Sequence, residues 1–170
     1  LNTPIMFYVL ADGFTLDESI GTKEHPFEGT LDGQLNHYSF NKPLVLYAKD
    51  AIIRNIILTE STLSTGNTEG HLGAIACTAT GETRIYNCGI LAGSLSETGH
   101  VGGIVGHLDG SAHVVNCYSY ANITGGSDVG GIVGFNNIAS TASNLKTMVM
   151  NCAFYGDITG GTTKSPVYGG

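Results

Sequence analysis

The sequence predicts an all-β fold, a parallel, right-handed β-helix or β-solenoid of about four coils behind an irregular N-terminal cap. Three observations predict it. The hexapeptide VGGIVG stands at Val101–Gly106 and again at Val129–Gly134. Around it, units of similar spelling align in columns of like residues. No stretch of 10–12 residues carries the apolar spacing of a helix.

The units follow one another along the chain. Residues 1–42 form the lead-in, and 43–70, 71–99, 100–128 and 129–161 are four units, with 162–170 the opening of a truncated fifth. The unit from Pro43 is the most degenerate. The unit from Val129 carries an insertion at IASTASNLK. One column reads Asn55, Asn87, Asn116, Asn151. The residue after it is Ile56, Cys88, Cys117, Cys152, and two before it stand Ile53, Ile85, Val114, Val149. β-Branched residues at a fixed place, flanked by variable ones, read as strands with one face inward. Ile75, Ile104 and Ile132 mark a second inward strand. Glycine, Asn, Asp and Thr clusters between them are turn chemistry.

A unit this short cannot bury its own apolar face, so the units must stack. Stacking turns columns into ladders about 4.8 Å apart. The asparagines then form a ladder at a corner, amide bonded to amide. Gly102, Gly103, Gly130 and Gly131 are expected at turns, where glycine allows positive φ or a close approach of neighbouring backbone. Val167–Gly170 reads as the start of another such element, so the chain is expected to be a piece of a longer protein whose further units cover the open edge.

Composition bounds the function. The chain has 170 residues, seven basic against fourteen acidic, and a net charge of −7. With no basic stripe, neither nucleic acid nor an anionic membrane surface is an expected partner. The apolar runs are too short to cross a bilayer.

The side chains that could carry chemistry do not converge. Three of the four cysteines share the inward column, where a small apolar thiol packs well and disulfide geometry is poor. Cys77 lies in another strand, where later units have Gly106 and Gly134. His100, His107 and His113, with Asp109 among them, match no known metal-ligand spacing. His25, His37 and His71 read as single loop residues, so no metal site and no cofactor is expected. Asp12, Asp17, Glu18, Glu24, Glu28 and Asp32 cluster in the lead-in, while Asp109, Asp128 and Asp157 fall at turns. Nothing resembles a nucleophile elbow or a zinc-protease helix, and no catalytic residue is assigned. Asn122-Ile123-Thr124 is a glycosylation sequon that reads first as a turn into a strand.

Aromatic residues supply the binding candidates. Tyr86, Tyr118, Tyr120, Phe154 and Tyr155 fall in or near the Asn-Cys strand, and Phe135 follows the second VGGIVG. Tyr118, Tyr120 and Tyr155 are the candidate contacts for a sugar ring or a protein surface.

These motifs resemble a known family. GGIVG, then a turn, then Asn116-Cys117-Tyr118, then a return to VGG are similar to the GLUG repeat of bacterial surface and secreted proteins. Tyr8-Val9-Leu10-Ala11-Asp12 and Pro26-Phe27-Glu28-Gly29-Thr30-Leu31-Asp32-Gly33 resemble the lead-in that often precedes such repeats. The chain departs from the pattern at Gln34-Leu35-Asn36-His37, where the family usually has another glycine, and at Ala76 and Cys77. The resemblance implies an exported bacterial protein, extracellular or on the cell surface, with signal and anchor elsewhere. Such repeats occur in adhesin-like proteins and in streptococcal immunoglobulin A proteases. It implies a non-catalytic stalk or binding module, with a host glycan or protein and the adjacent domains of a parent chain as partners. The other expectation is an accessory domain of a secreted protease or glycan-active hydrolase.

Overall fold

A computed structural model describes residues 6–137, 146–160 and 167–169 of the chain, the last three by their backbone. Most of the insertion of the third VGG-like unit (138–145) and most of the truncated unit (162–170) lie outside the described residues. All regular structure among the described residues is β, with no helix, and the strands pair in parallel.

One sheet holds six strands in chain order: Met6–Val9, Gly29–Asp32, Ile52–Arg54, Arg84–Tyr86, His113–Val115 and Met148–Met150. A second sheet runs Val45–Lys49, Ala76–Thr80, Val105–Asp109, Val133–Asn137. A third is organised by the long strand Ile57–Leu63. Its first half pairs with Gly89–Ile90, and that strand leads on to Tyr118–Ser119 and Ala153–Phe154. Its second half pairs with Gly93–Glu97, which leads to Asn122–Gly125 and Ile158–Gly160. The smallest sheet is Val101–Gly102, Asp128–Gly130 and Val167–Gly169. Parallel neighbours cannot be joined by a tight hairpin. Here the chain visits the other sheets before it returns beside itself.

Register stacks like on like. Leu31, Ile53, Ile85, Val114 and Val149 pair in turn, and the first four are buried. Each fully buried Ile or Leu stabilises the fold by about 1.5–3 kcal/mol. Leu58, Ile90, Leu95 and Ile123 complete the core from other strands, and Ile75 and Ile104, expected in a strand, do so from the bends just before Ala76–Thr80 and Val105–Asp109.

At the end of the first sheet's strands the backbone turns through left-handed geometry. Asn55, Asn87, Asn116 and Asn151 all have φ of 53–56°. Of the residues with a side chain, Asn is among the few that visit this region readily. Their amides form a ladder: Asn87 Nδ2 donates to Asn55 Oδ1 at 3.3 Å and Asn116 Nδ2 to Asn87 Oδ1 at 3.4 Å. Asp32 ends the ladder by accepting from Asn55 Nδ2 at 3.0 Å and from Arg54 Nε at 2.8 Å. The next residue turns inward. Cys88 and Cys117 are buried and Cys152 partly so, all free thiols; Cys88 and Cys117 donate to the carbonyls of Tyr86 and Val115 at 3.4 and 3.3 Å.

Two expectations need correction. Residues 1–42 are not an irregular cap throughout. Met6–Val9, Gly29–Asp32 and His37–Ser39 join the sheets, and Ile20 and Phe27 bridge to Val45 and Ala48. Leu31 stacks on Ile53, and the buried Tyr38 hydroxyl donates to the carbonyls of Leu10 and Gly33, both at 3.0 Å. These segments fill the same ladder positions with unlike residues.

The second correction concerns the doubled glycines. Among the described residues the positive-φ glycines are Gly13, Gly21, Gly70, Gly81, Gly93 and Gly110, so Gly102, Gly103, Gly130 and Gly131 are not among them. At Gly102, Gly103 and Gly131 the reason for glycine is crowding. A Cβ on Gly103 would stand 2.4 Å from the Gly131 carbonyl oxygen, and one on Gly131 would stand 2.2 Å from the Phe154 ring. One on Gly102 would meet the Val105 carbonyl oxygen at 2.1 Å.

Candidate binding face

Successive side chains of a strand point to opposite faces. Around Tyr118–Ser119 the small Ser119 is the inward, fully buried residue. Tyr118 and Tyr120 therefore flank it on the outer face. Backbone bonds to the neighbouring strands hold them there, from Tyr120 N to Ile90 O at 3.0 Å and from Tyr155 N to Ser119 O at 2.9 Å.

Register sorts the outer residues into two columns. Gly89, Tyr118 and Ala153 form one. The small neighbours give the Tyr118 ring its room: a Cβ on Gly89 would stand 2.1 Å from its Cζ. Continuing the same register one residue further gives the other column, Leu91, Tyr120 and Tyr155. Tyr120 and Tyr155 stack with centroids 4.6 Å apart and planes at 16°, and Tyr118 meets Tyr120 edge-on at 6.1 Å. Tyr120 is 47% and Tyr155 63% exposed, with Leu91 at 41%. Tyr118 is half-buried. Burial raises its hydroxyl pKa above 10, with Tyr120 and Cys88 adding to the effect.

A shallow groove of about 470 Å³ lies along these rings, with Asn116 and Asn151 also in its wall. None of the described residues lining it is charged. Flat aromatic faces beside neutral amides suit an uncharged ligand with both apolar and hydroxylated surfaces.

The other aromatic candidates are engaged elsewhere. Tyr86 accepts a hydrogen bond from Arg54 Nη1 at 2.9 Å. Phe154 packs partly buried against the core. Phe135 stands against two histidines. His113 lies apart in the first sheet, stacked between Arg84 and Met148.

Sequence reasoning missed one constellation. His71 is not a single loop residue. It is buried and stacks on His100, with centroids 4.8 Å apart and planes at 8°. Leu72 bridges to Val101 and Val101 pairs with Val129, which lines up His71, His100 and Asp128 as the preceding residues. His107 reaches the pair from the second sheet, 4.5 Å from His71 and 5.6 Å from His100 between centroids. Asp128 Oδ2 lies 3.0 Å from His100 Nε2, and Thr78 Oγ1 lies 2.9 Å from His71 Nδ1. Burial, with the neighbouring His107 and His100 adding to it, pushes His71 down to about 4. Burial and then His100 lower His107 as well. The signal in the sequence was a Gly-His pair at the start of each of two successive units, Gly70-His71 and Gly99-His100.

The parallel sheets and the outward aromatic face define an all-β chain with a neutral, solvent-facing groove. No protein-family model, no curated protein and no solved structure matches the chain.

Proposed function

We propose that this chain is a non-catalytic β-solenoid module of the GLUG-like kind, from an exported bacterial protein, that binds neutral sugar rings of a host glycan on its tyrosine face. The solenoid reading is supported by the regular return of each segment to the same sheets. Side-chain bonds of the Asn ladder link residues 32 and then 29 positions apart. Right-handed winding follows the general bias of parallel crossovers.

One observation carries the binding reading: the exposed, stacked Tyr120–Tyr155 pair, flanked by Asn116 and Asn151 in one groove. Rigid strands hold the rings in place before a ligand arrives, which lowers the ordering cost of binding. The rings would stack on sugar faces while the amides meet hydroxyl groups. The test is a glycan array and titration with the wild-type chain beside a Tyr120→Ala/Tyr155→Ala variant of unchanged circular dichroism. Saturable binding that falls at least tenfold in the variant supports the proposal. Equal binding by both, or none by the folded wild type, removes it.

A further inference from the structure

We infer that His71, His100 and His107 form a binding site for a divalent transition-metal ion of the zinc class, with Asp128 positioning His100. Each of the three rings brings one nitrogen to a set whose members all lie within 4.8 Å of one another. Tetrahedral zinc with bonds of 2.0–2.1 Å asks for nitrogens about 3.4 Å apart. Closing that gap calls for the rings to turn about their side-chain bonds.

The hydrogen bonds leave the right atoms free. His100 Nε2 lies 3.0 Å from Asp128 Oδ2, and in the neutral tautomer with its proton on Nε2, facing that carboxylate, the lone pair lies on Nδ1. That Nδ1 is buried and has no partner among the described residues. A carboxylate on the far nitrogen is how metal-binding histidines are commonly oriented and made more basic. His71 makes its bond to Thr78 Oγ1 through Nδ1, at 2.9 Å, and the same hydroxyl accepts from Asn67 Nδ2 at 2.8 Å. In the tautomer in which Nδ1–H donates to this hydroxyl, Nε2 holds the free pair. His107 has both ring nitrogens buried without a partner among the described residues. Buried polar atoms in native proteins normally find partners. One bound ion would satisfy two of these three orphan nitrogens, His100 Nδ1 and one nitrogen of His107, and would take its third ligand from His71.

The donor set selects the ion. Imidazole nitrogen suits zinc, copper and nickel, whereas calcium and magnesium prefer oxygen ligands. Two carboxylates, Asp128 on His100 and Glu69 at 3.9 Å from His71, put negative charge beside the ion. Phe135 walls the cluster, 4.6 Å from the His100 ring and 5.2 Å from that of His107. Three protein ligands leave the fourth tetrahedral position to water or an outside donor. The ion would tie together two successive ladder positions and a strand of a different sheet.

The test uses the whole chain, stripped with a chelator and titrated with zinc chloride by calorimetry, then with cobalt(II) by visible absorption. His107→Phe removes one ligand and places in the second sheet the ring that the next strand already carries as Phe135, in register with it. His100→Asn is the second variant. Both are checked for wild-type circular dichroism. The expected result is one zinc per chain, the strong visible bands of tetrahedral cobalt, and affinity at least 100-fold weaker in each folded variant. Absence of saturable binding overturns the inference. So does binding that survives in a folded His107→Phe chain, which would place the ion on other histidines. If neither variant folds, the wild-type cobalt spectrum decides: tetrahedral bands uphold the site and weak octahedral bands refute it.

Discussion

Gly103→Ala adds one methyl group where two stacked bends, each continuing a strand, touch. The new Cβ would stand 2.4 Å from the Gly131 carbonyl oxygen and 2.6 Å from Ser119 Oγ, against ordinary contact from about 3.4 Å. The strands must part locally by about 1 Å. Two backbone bonds run through this residue, Gly103 N to Gly131 O at 3.2 Å and Ala74 N to Gly103 O at 3.1 Å. Stretching them by that much takes them out of bonding range. Each buried bond lost costs about 1–3 kcal/mol. Alanine restricts the unfolded chain and returns about 0.4–1 kcal/mol. Taking the middle of each range, two bonds at about 2 kcal/mol less about 0.7 kcal/mol, the net destabilisation is about 3 kcal/mol, with about 2–4 kcal/mol as the expected span. Urea unfolding followed by circular dichroism reads it, as a midpoint lower by about 1–2 M at an unchanged slope of roughly 2 kcal/mol/M. Gly13→Ala is the control. Gly13 has φ of +73°, but a Cβ there would meet nothing within 4 Å, so it tests backbone strain alone. It should cost no more than about 1 kcal/mol. Crowding is refuted as the reason for glycine if Gly103→Ala stays within about 0.5 kcal/mol of wild type, or costs no more than the control.

Two further outcomes follow from the buried polar groups. Asp32→Ala removes the acceptor of the Gln34 backbone N–H, the Asn55 amide and the Arg54 guanidinium, which together hold its carboxyl below the usual range against the opposing effect of burial. It should destabilise by about 2–3 kcal/mol in urea, and Asp32→Asn by less, since one carbonyl acceptor remains. With metal chelated, stability should also fall in mild acid. His71 protonates near its ordinary 6.5 when unfolded but only at about 4 when folded. The unfolded chain therefore takes up the proton first as pH drops, and stability is complete above 6.5 and lost through the window down to about 4. The loss is of order 3 kcal/mol at 1.36 kcal/mol per unit. His107, lowered in the same direction, adds to it. A His71→Gln chain should show a flatter profile over that window, and an equally steep one would refute the assignment.

What the sequence made legible was whatever one position demands each time the chain passes it. The left-handed corner accepts few residues, so Asn55, Asn87, Asn116 and Asn151 share one spelling. Crowded strand contacts accept only glycine, so VGGIVG is written twice, although its reason is contact and not turn geometry. The N-terminal strands were hidden because ladder positions ask only for a fitting side chain. Tyr38 lies beside Leu58, and Leu31 beside Ile53, with no shared motif. The tyrosines were visible as candidates, but their roles differ by column. Tyr155, not Tyr118, is the most exposed of the three and the stacking partner of Tyr120. The histidine cluster was half legible. His71 and His100 hold the same place at the start of successive units, but His107 arrives from another sheet. Its approach depends on how the sheets face each other, which no spacing along the chain encodes.

Parallel stacking in one register builds both the tyrosine columns and the histidine cluster. The most direct measurement of it is a set of nuclear Overhauser contacts on the isotopically labelled chain. Parallel stacking predicts cross-strand contacts linking Ile85 to Val114, Val101 to Val129 and Ser119 to Ile90. It predicts none of the close Hα–Hα contacts that mark antiparallel pairs, whose Cα atoms approach to about 4.5 Å. Strong Hα–Hα contacts across these strands, or pairings shifted by one residue, would contradict it and dissolve both sites together.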